Sequence, residues 1–265
     1  MFRKVLLLVV MAVVMGAALP VLAVKYGQPD NGEHPYVGLI VFYTEDGAPQ
    51  WRCTGTLISP TVVVTAGHCT ELNGPARIWF DENVQAIAEY PFSGGDSYTG
   101  RAYTYPGWQG GLFLPDTGDA GVVVLDEPVT GVGDLPTLAP AGYLDNLATQ
   151  RGKKDTTFEV VGYGLQSVKP VESTIRVRLK ANVHLVNLRS SLTDGYNLHT
   201  SNNPGQGNGG PGGTCFGDSG GAIFAGDHQI VAVNSFVLNA NCAGASFGYR
   251  LDRPEVRDWV LSFVS

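Results

Sequence analysis

Apolar residues along this chain alternate with polar ones or gather in short runs, and only at the end do they fall at helical spacing. Runs at 36–43, 56–58, 61–65, 76–80, 121–125, 158–161, 175–186, 222–224 and 230–237 are β-branched or alternating. Each reads as a strand, because successive side chains of a strand point to opposite faces. Clusters of Gly, Pro, Asn and Asp separate them, as turns require. Many short strands at this spacing predict an all-β barrel or sandwich. The exception starts at Pro254. Val256, Trp259, Val260 and Phe263 then recur at helical spacing, which predicts a short amphipathic helix that caps the core.

Composition fits that picture. The chain has 265 residues, 35 Gly and 16 Pro, and only 15% of it is charged. This suits a turn-rich exported protein and is long enough for a full core. The formal charge of −7 argues against nucleic acid as a partner. Residues 1–23 have the pattern of a secretory leader. Arg3 and Lys4 precede an apolar stretch over 5–14, Pro20 breaks it, and Val21-Leu22-Ala23 offers a cleavage site. A membrane anchor is the competing reading, since apolar character persists to Val24. Cleavage would leave 15 basic against 24 acidic residues, a mature charge of −9. The expected location is therefore outside the cell or in the periplasm.

Four cysteines follow the leader, and they permit three pairings. Export makes disulfides the expectation. Local pairing would join Cys53 to Cys69 and Cys215 to Cys242. Residues 135–140 offer a boundary between two halves, 24–135 and 136–265. Residues 201–213, rich in Gly, Asn and Pro, read as loop.

Two pentapeptides carry the chemistry. Thr65-Ala66-Gly67-His68-Cys69 ends an apolar run in a histidine, and Gly217-Asp218-Ser219-Gly220-Gly221 sets a serine in a glycine-flanked turn. A hydroxyl is a poor nucleophile unless a base lies within hydrogen-bond reach, so Ser219 and His68 gain meaning together. The base needs an orienting acid. Asp119, at the mouth of the apolar run 121–125, is the favoured candidate; Asp116 and Asp126 read as turn residues.

These motifs, in the order His, Asp, Ser, resemble the trypsin/chymotrypsin family of serine endopeptidases. His34-Pro35-Tyr36-Val37, Trp51-Arg52-Cys53-Thr54-Gly55-Thr56-Leu57-Ile58 and Phe158-Glu159-Val160-Val161-Gly162-Tyr163-Gly164 extend the resemblance over nearly the whole mature chain. It implies two packed six-stranded antiparallel β-barrels with a short C-terminal helix, His68 and Asp119 coming from the first and Ser219 from the second. It implies peptide-bond hydrolysis through an acyl-enzyme. The N–H groups of Gly217 and Ser219 would form the oxyanion hole, and Ser235 would touch Asp119. Asp218 would pair with the ammonium of a mature N-terminus at Val24, released by leader cleavage without a separate zymogen.

The resemblance also implies a pocket for the side chain before the cut bond. Its floor maps onto Gly213, which has no counter-ion for Arg or Lys. Thr214 and Phe216 flank it, and Ser235, Val237 and Phe247 line it. Val237 and Phe247 would make it shallow and select small apolar side chains. His34 reads as a turn residue, His184 as a strand residue, and His199 and His228 as loop residues. No pair of histidines has metal-ligand spacing, so neither metal nor other cofactor is expected. The expected partner is a polypeptide substrate, with a protein inhibitor as a further candidate; the mature protein is expected to be a monomer free of membrane. Two other readings compete: a catalytically silent relative that binds rather than cleaves, and an α/β-hydrolase esterase, whose Gly-x-Ser-x-Gly turn the serine motif also matches.

Overall fold

The structure is a computed structural model that describes residues 24–148, 156–168, 172–202, 212–226 and 228–264. The expected leader, and most of the glycine-rich loop, lie outside the described residues. Fourteen strands run in chain order: β1 (Gln28–Pro29), β2 (Val37–Tyr43), β3 (Pro49–Ser59), β4 (Val62–Thr65), β5 (Pro75–Trp79), β6 (Ser97–Thr104) and β7 (Gly121–Leu125), then β8 (Thr137–Leu138), β9 (Thr157–Gly162), β10 (Leu179–Asn187), β11 (Asn197–Asn202), β12 (Ala222–Ala225), β13 (Gln229–Val237) and β14 (Gly244–Arg250). Among the described residues three α-helices accompany them: α1 (Gly67–Thr70), α2 (Tyr143–Ala148) and α3 (Pro254–Leu261).

The strands close into two six-stranded antiparallel barrels. The first runs β2-β3-β4-β7-β6-β5 and closes where Leu39 of β2 faces Trp79 of β5. The second runs β9-β10-β11-β14-β13-β12 and closes where β12 meets β9 again. Short β1 extends the second sheet on β10, and β8 joins β13 in parallel. This antiparallel architecture excludes the α/β-hydrolase reading, which needs parallel strands with helical crossovers.

β2 (VGLIVFY) is buried at all seven positions. Its two faces are both covered because it also packs against β9 of the second barrel. The sequence pattern missed β6, β11 and β14 because they hold few large apolar residues. In β11, Thr200, Ser201 and Asn202 are buried yet polar, and Ser201 Oγ accepts from the His184 N–H at 2.9 Å. The residues expected to be loop at 201 and 202 thus end this strand. His199 lies in the same strand rather than a loop. The run expected from 175 becomes regular strand only at Leu179, because Arg176 has φ +43° and breaks the extended backbone.

The helix α3 leaves the second barrel and returns to the first. Val256 and Val260 are buried, and Trp259 meets Tyr105 at 5.3 Å between ring centroids. A polar clamp joins the barrels at the other side. Arg178, just before β10, donates to the carbonyls of Val37 and Phe80, both at 3.0 Å, and to Asp30 at 2.8 Å. His34 lies between Asp30 and Glu159, 3.0 Å from the latter. Burial opposes a charge on His34, but those two carboxylates raise its pKa to about 9. His34 is therefore a buried ion-pair residue of the seam, not the plain turn residue its neighbour Pro35 suggests.

Candidate functional site

The apolar strand β4 ends at Thr65, and the chain turns at once into α1, which carries His68. A disulfide between Cys53 and Cys69 anchors that turn to β3, and Cys215 pairs with Cys242. The local pairing is thus the one formed. Asp119 stands just before β7 and is fully buried. It accepts from the His68 backbone N–H at 2.7 Å and from Nδ1 of the ring at 2.9 Å. Ser235 Oγ donates to the same carboxylate. The donor at Nδ1 leaves Nε2 as the ring's acceptor. Burial works against protonation of His68, yet the charge and hydrogen bond of Asp119 raise its pKa above the usual histidine range.

Ser219 sits on a turn held from three sides. The N–H of Leu165 donates to the Phe216 carbonyl at 2.9 Å. In a trans peptide the following N–H, that of Gly217, then points the opposite way. Gly217 has φ +97° and Gly220 φ +80°, conformations that suit glycine. At Gly220 a Cβ would also lie 2.0 Å from Thr65 Oγ1. Thr54 of β3 supplies the third hold. Its N–H donates to the Ser219 carbonyl at 2.8 Å, and its Oγ1 donates to the Gly217 carbonyl at 2.9 Å. Among the described residues the N–H groups of Gly217 and Ser219 have no acceptor.

Asp218 is fully buried, and its carboxylate accepts from the N–H groups of Gly164 at 2.8 Å and Cys215 at 2.9 Å. No cationic group bridges it among the described residues. Burial pushes its pKa up to about 7, against the pull of those N–H groups and the more distant Arg52. Val24 is also fully buried, but it packs in the core of the second barrel. In the full-length chain its nitrogen is a peptide amide joined to Ala23, so the ammonium expected opposite Asp218 is absent before cleavage.

His68 and Ser219 face one cleft of about 310 Å³, lined also by Leu112, Thr214, Cys215, Phe216, Asn234, Ser235, Phe236 and Val237. The His68 ring bonds through Nδ1 to Asp119, and no hydrogen bond joins it to Ser219 Oγ. Catalytic hydrogen bonds are often long or absent before substrate binds.

Two of the expected pocket residues lie off this cleft. Gly213 pairs with Lys25 in a β-bridge, and a Cβ there would fall 1.6 Å from Asn202 Oδ1, so the buried Asn202 side chain covers it. Phe247 is fully buried, its ring stacked between Phe236 and His199 with centroids 4.5 Å away on each side. The cross-strand register of Phe236 with Phe247 produces that stack. Only Val237 of the expected narrowing pair therefore reaches the cleft. Leu112, Asn234 and Phe236 escaped the sequence reading. Leu112 belongs to a loop without strand pattern; Asn234, next to Ser235, was legible as a polar residue inside an apolar run.

The trypsin family model matches residues 25–260. The chain belongs to the trypsin family. No match was found among curated proteins. Solved structures agree on the fold. An HL collagenase superposes with a TM-score of 0.66 at 17% identity, covering 88% of this chain and 94% of its own. Human heparin binding protein superposes with a TM-score of 0.62 at 19% identity, covering 89% of this chain and 92% of its own. Within this trypsin-family chain, one cleft brings together His68 and Ser219, and the turn that carries Ser219 also carries the two N–H groups without acceptors among the described residues.

Proposed function

We infer that the protein is a secreted serine endopeptidase. The observation that carries this reading is the buried Asp119 holding His68 in one tautomer, in the cleft that also holds Ser219. Ser219 Oγ attacks the peptide carbonyl while His68 Nε2 takes its proton. The oxyanion that forms is met by the N–H groups of Gly217 and Ser219, worth about 10²–10³ in rate for each donor in comparable sites. His68 then passes the proton to the leaving amine, and an acyl-enzyme remains. Water, activated by the same base, releases the acyl group and restores Ser219.

A polypeptide is the substrate class. Apart from His68 none of the described residues that line the cleft is ionisable, which supports an uncharged side chain before the cut bond and disfavours Arg or Lys. Leader cleavage after Ala23 would give Val24 the ammonium that the buried Asp218 lacks, and two disulfides suit the oxidising compartment that export implies. Covalent labelling of the purified protein with a fluorophosphonate tests the reading. Labelling that disappears in Ser219→Ala, together with loss of peptide cleavage, is expected. A folded protein that resists labelling would instead be a binding protein on the same fold, and the net charge of −7 would make polyanions such as heparin poor partners for it.

A further inference from the structure

Asn234 of β13 precedes Ser235 and lines the cleft beside Ser219, with only 3% of its surface exposed. Its backbone is committed to the nucleophile turn. The Asn234 N–H donates to the Gly221 carbonyl at 2.9 Å, and its own carbonyl accepts from Gly220 at 2.8 Å. Among the described residues the side chain has no partner. Oδ1 and Nδ2 are both buried, and both lack a hydrogen-bond partner. Burying an unpaired carboxamide is unfavourable, and nearly all such groups in folded proteins find partners. An orphaned donor and an orphaned acceptor on one side chain, in the wall of a cleft, point to a ligand that supplies one of each.

The surroundings narrow the chemistry. Thr214 lines the same cleft, and its hydroxyl is bonded to that of Ser246. A pair of hydroxyls uses only one of its two protons between them, so one donor stays free. Among the described residues no lining side chain except His68 is ionisable, so an ammonium would find no counter-charge and a carboxylate only the base itself. Leu112, Phe236 and Val237 give apolar cover for a methylene stem. An alkyl side chain would fill this space but leave the Asn234 amide unpaired.

We propose that the cleft selects peptides whose residue before the cut bond carries a carboxamide, Gln or Asn, paired with the side chain of Asn234. The proposal rests on the reading of Ser219 as the nucleophile, and it replaces the small apolar side chain expected from sequence. Sites built to hydrogen-bond a substrate group reject analogues without it far more strongly than apolar pockets reject a missing methylene.

The test uses peptides identical except at that residue, which is Gln, Asn, Met, Glu or Ala. For the secreted protein, kcat/KM for the better amide is expected to exceed that for near-isosteric Met by about 30-fold, with Glu lower still. In Asn234→Leu the ratio should fall to about 3 or less, through loss of amide cleavage and gain of Met cleavage. Met or Ala ahead of both amides in the unmodified protein overturns the proposal, and so does an unchanged ratio in the variant. Should Asn234→Leu fail to fold, the ratios of the unmodified protein still decide. Fluorophosphonate labelling of the same preparation separates the two levels. A labelled, active protein with apolar preference overturns this inference alone; an unlabelled and inactive one removes the endopeptidase reading, and this inference with it.

Discussion

Two fully buried carboxylates, Asp119 and Asp218, lie on either side of the proposed nucleophile Ser219, and the fold provides for them in opposite ways. Asp119, at the mouth of a first-barrel strand, accepts from the His68 ring, the His68 backbone and Ser235. Asp218, on the second-barrel turn, accepts from two backbone N–H groups and bridges no cation among the described residues. Burial alone disfavours the charged form of any carboxyl group, and only opposite charge or enough donors reverse that. The Asp119 side is complete as the chain folds. The Asp218 side has no cation bridging it among the described residues, and on the proposed reading leader cleavage at Val24 supplies one.

Removing the charge on the complete side should have the larger effect. Asp119→Asn keeps the shape but no longer holds Nδ1–H as donor, so His68 loses the tautomer that leaves Nε2 as base. A fall of about 10⁴ in kcat is expected, measured with a peptide substrate on protein verified as folded. The pH profile sharpens the point. His68 must be neutral to act as base, and Asp119 raises its pKa. Activity of the unaltered protein should therefore rise with pH through a midpoint above the usual histidine value, and the residual activity of Asp119→Asn should rise at lower pH. A variant that keeps both rate and midpoint would mean that Asp119 does not act through His68.

The incomplete side predicts a difference between the uncleaved chain and one that begins at Val24. With a folded pKa of about 7 against an ordinary value of 3.8, Asp218 holds a proton in the folded state that the unfolded chain has released. Stability of the uncleaved chain should therefore fall as pH rises from about 4 to 7, then level off. That slope should vanish in Asp218→Asn and shrink in the chain that starts at Val24, read as melting temperature against pH. Activity should follow, with the uncleaved form about 10²-fold slower if the Gly217 donor depends on a charged Asp218. Equal slopes in the two forms would show that Val24 never reaches Asp218.

This contrast also explains what was legible in the sequence. The first barrel could be read from strands such as Val62–Thr65 and Gly121–Leu125, because an apolar run beside His68 or Asp119 carries both fold and position. β11 and β14 could not, since their buried Thr, Ser, Asn and Gly residues owe their burial to ladder partners that no local pattern reveals. The His, Asp and Ser stand in motifs and were found by type and order. Gly213 and Phe247 were assigned to the pocket by counting along the chain, and counting cannot foresee that Asn202 covers the first and two rings enclose the second. Asn234 is the converse: a polar residue among apolar ones, visible in the sequence but meaningful only once its amide proves unpaired.

The smallest effect tests whether the two sides are independent. Thr54 belongs to the first barrel, yet it holds both carbonyls that flank Asp218 in the Ser219 turn. Its Oγ1 donates to the Gly217 carbonyl and accepts from the Tyr163 N–H at 3.2 Å. Thr54→Val keeps the volume and leaves that carbonyl and N–H unpaired, a loss of roughly 1–3 kcal/mol. If the hydroxyl only supports the fold, the melting temperature should drop while kcat per titrated serine stays the same. If it also steadies Gly217 itself, so that without it the preceding Phe216–Gly217 peptide and its N–H shift, kcat should also fall about 10-fold with KM nearly constant, because a misaimed donor weakens the transition state more than the bound substrate. In that case Thr54→Ser, which keeps the hydroxyl and loses a methyl, should restore most of kcat. We expect the first pattern, because the Leu165 N–H holds the Phe216–Gly217 peptide that carries the donor, the Thr54 backbone N–H holds the Ser219 carbonyl, and both bonds survive the substitution.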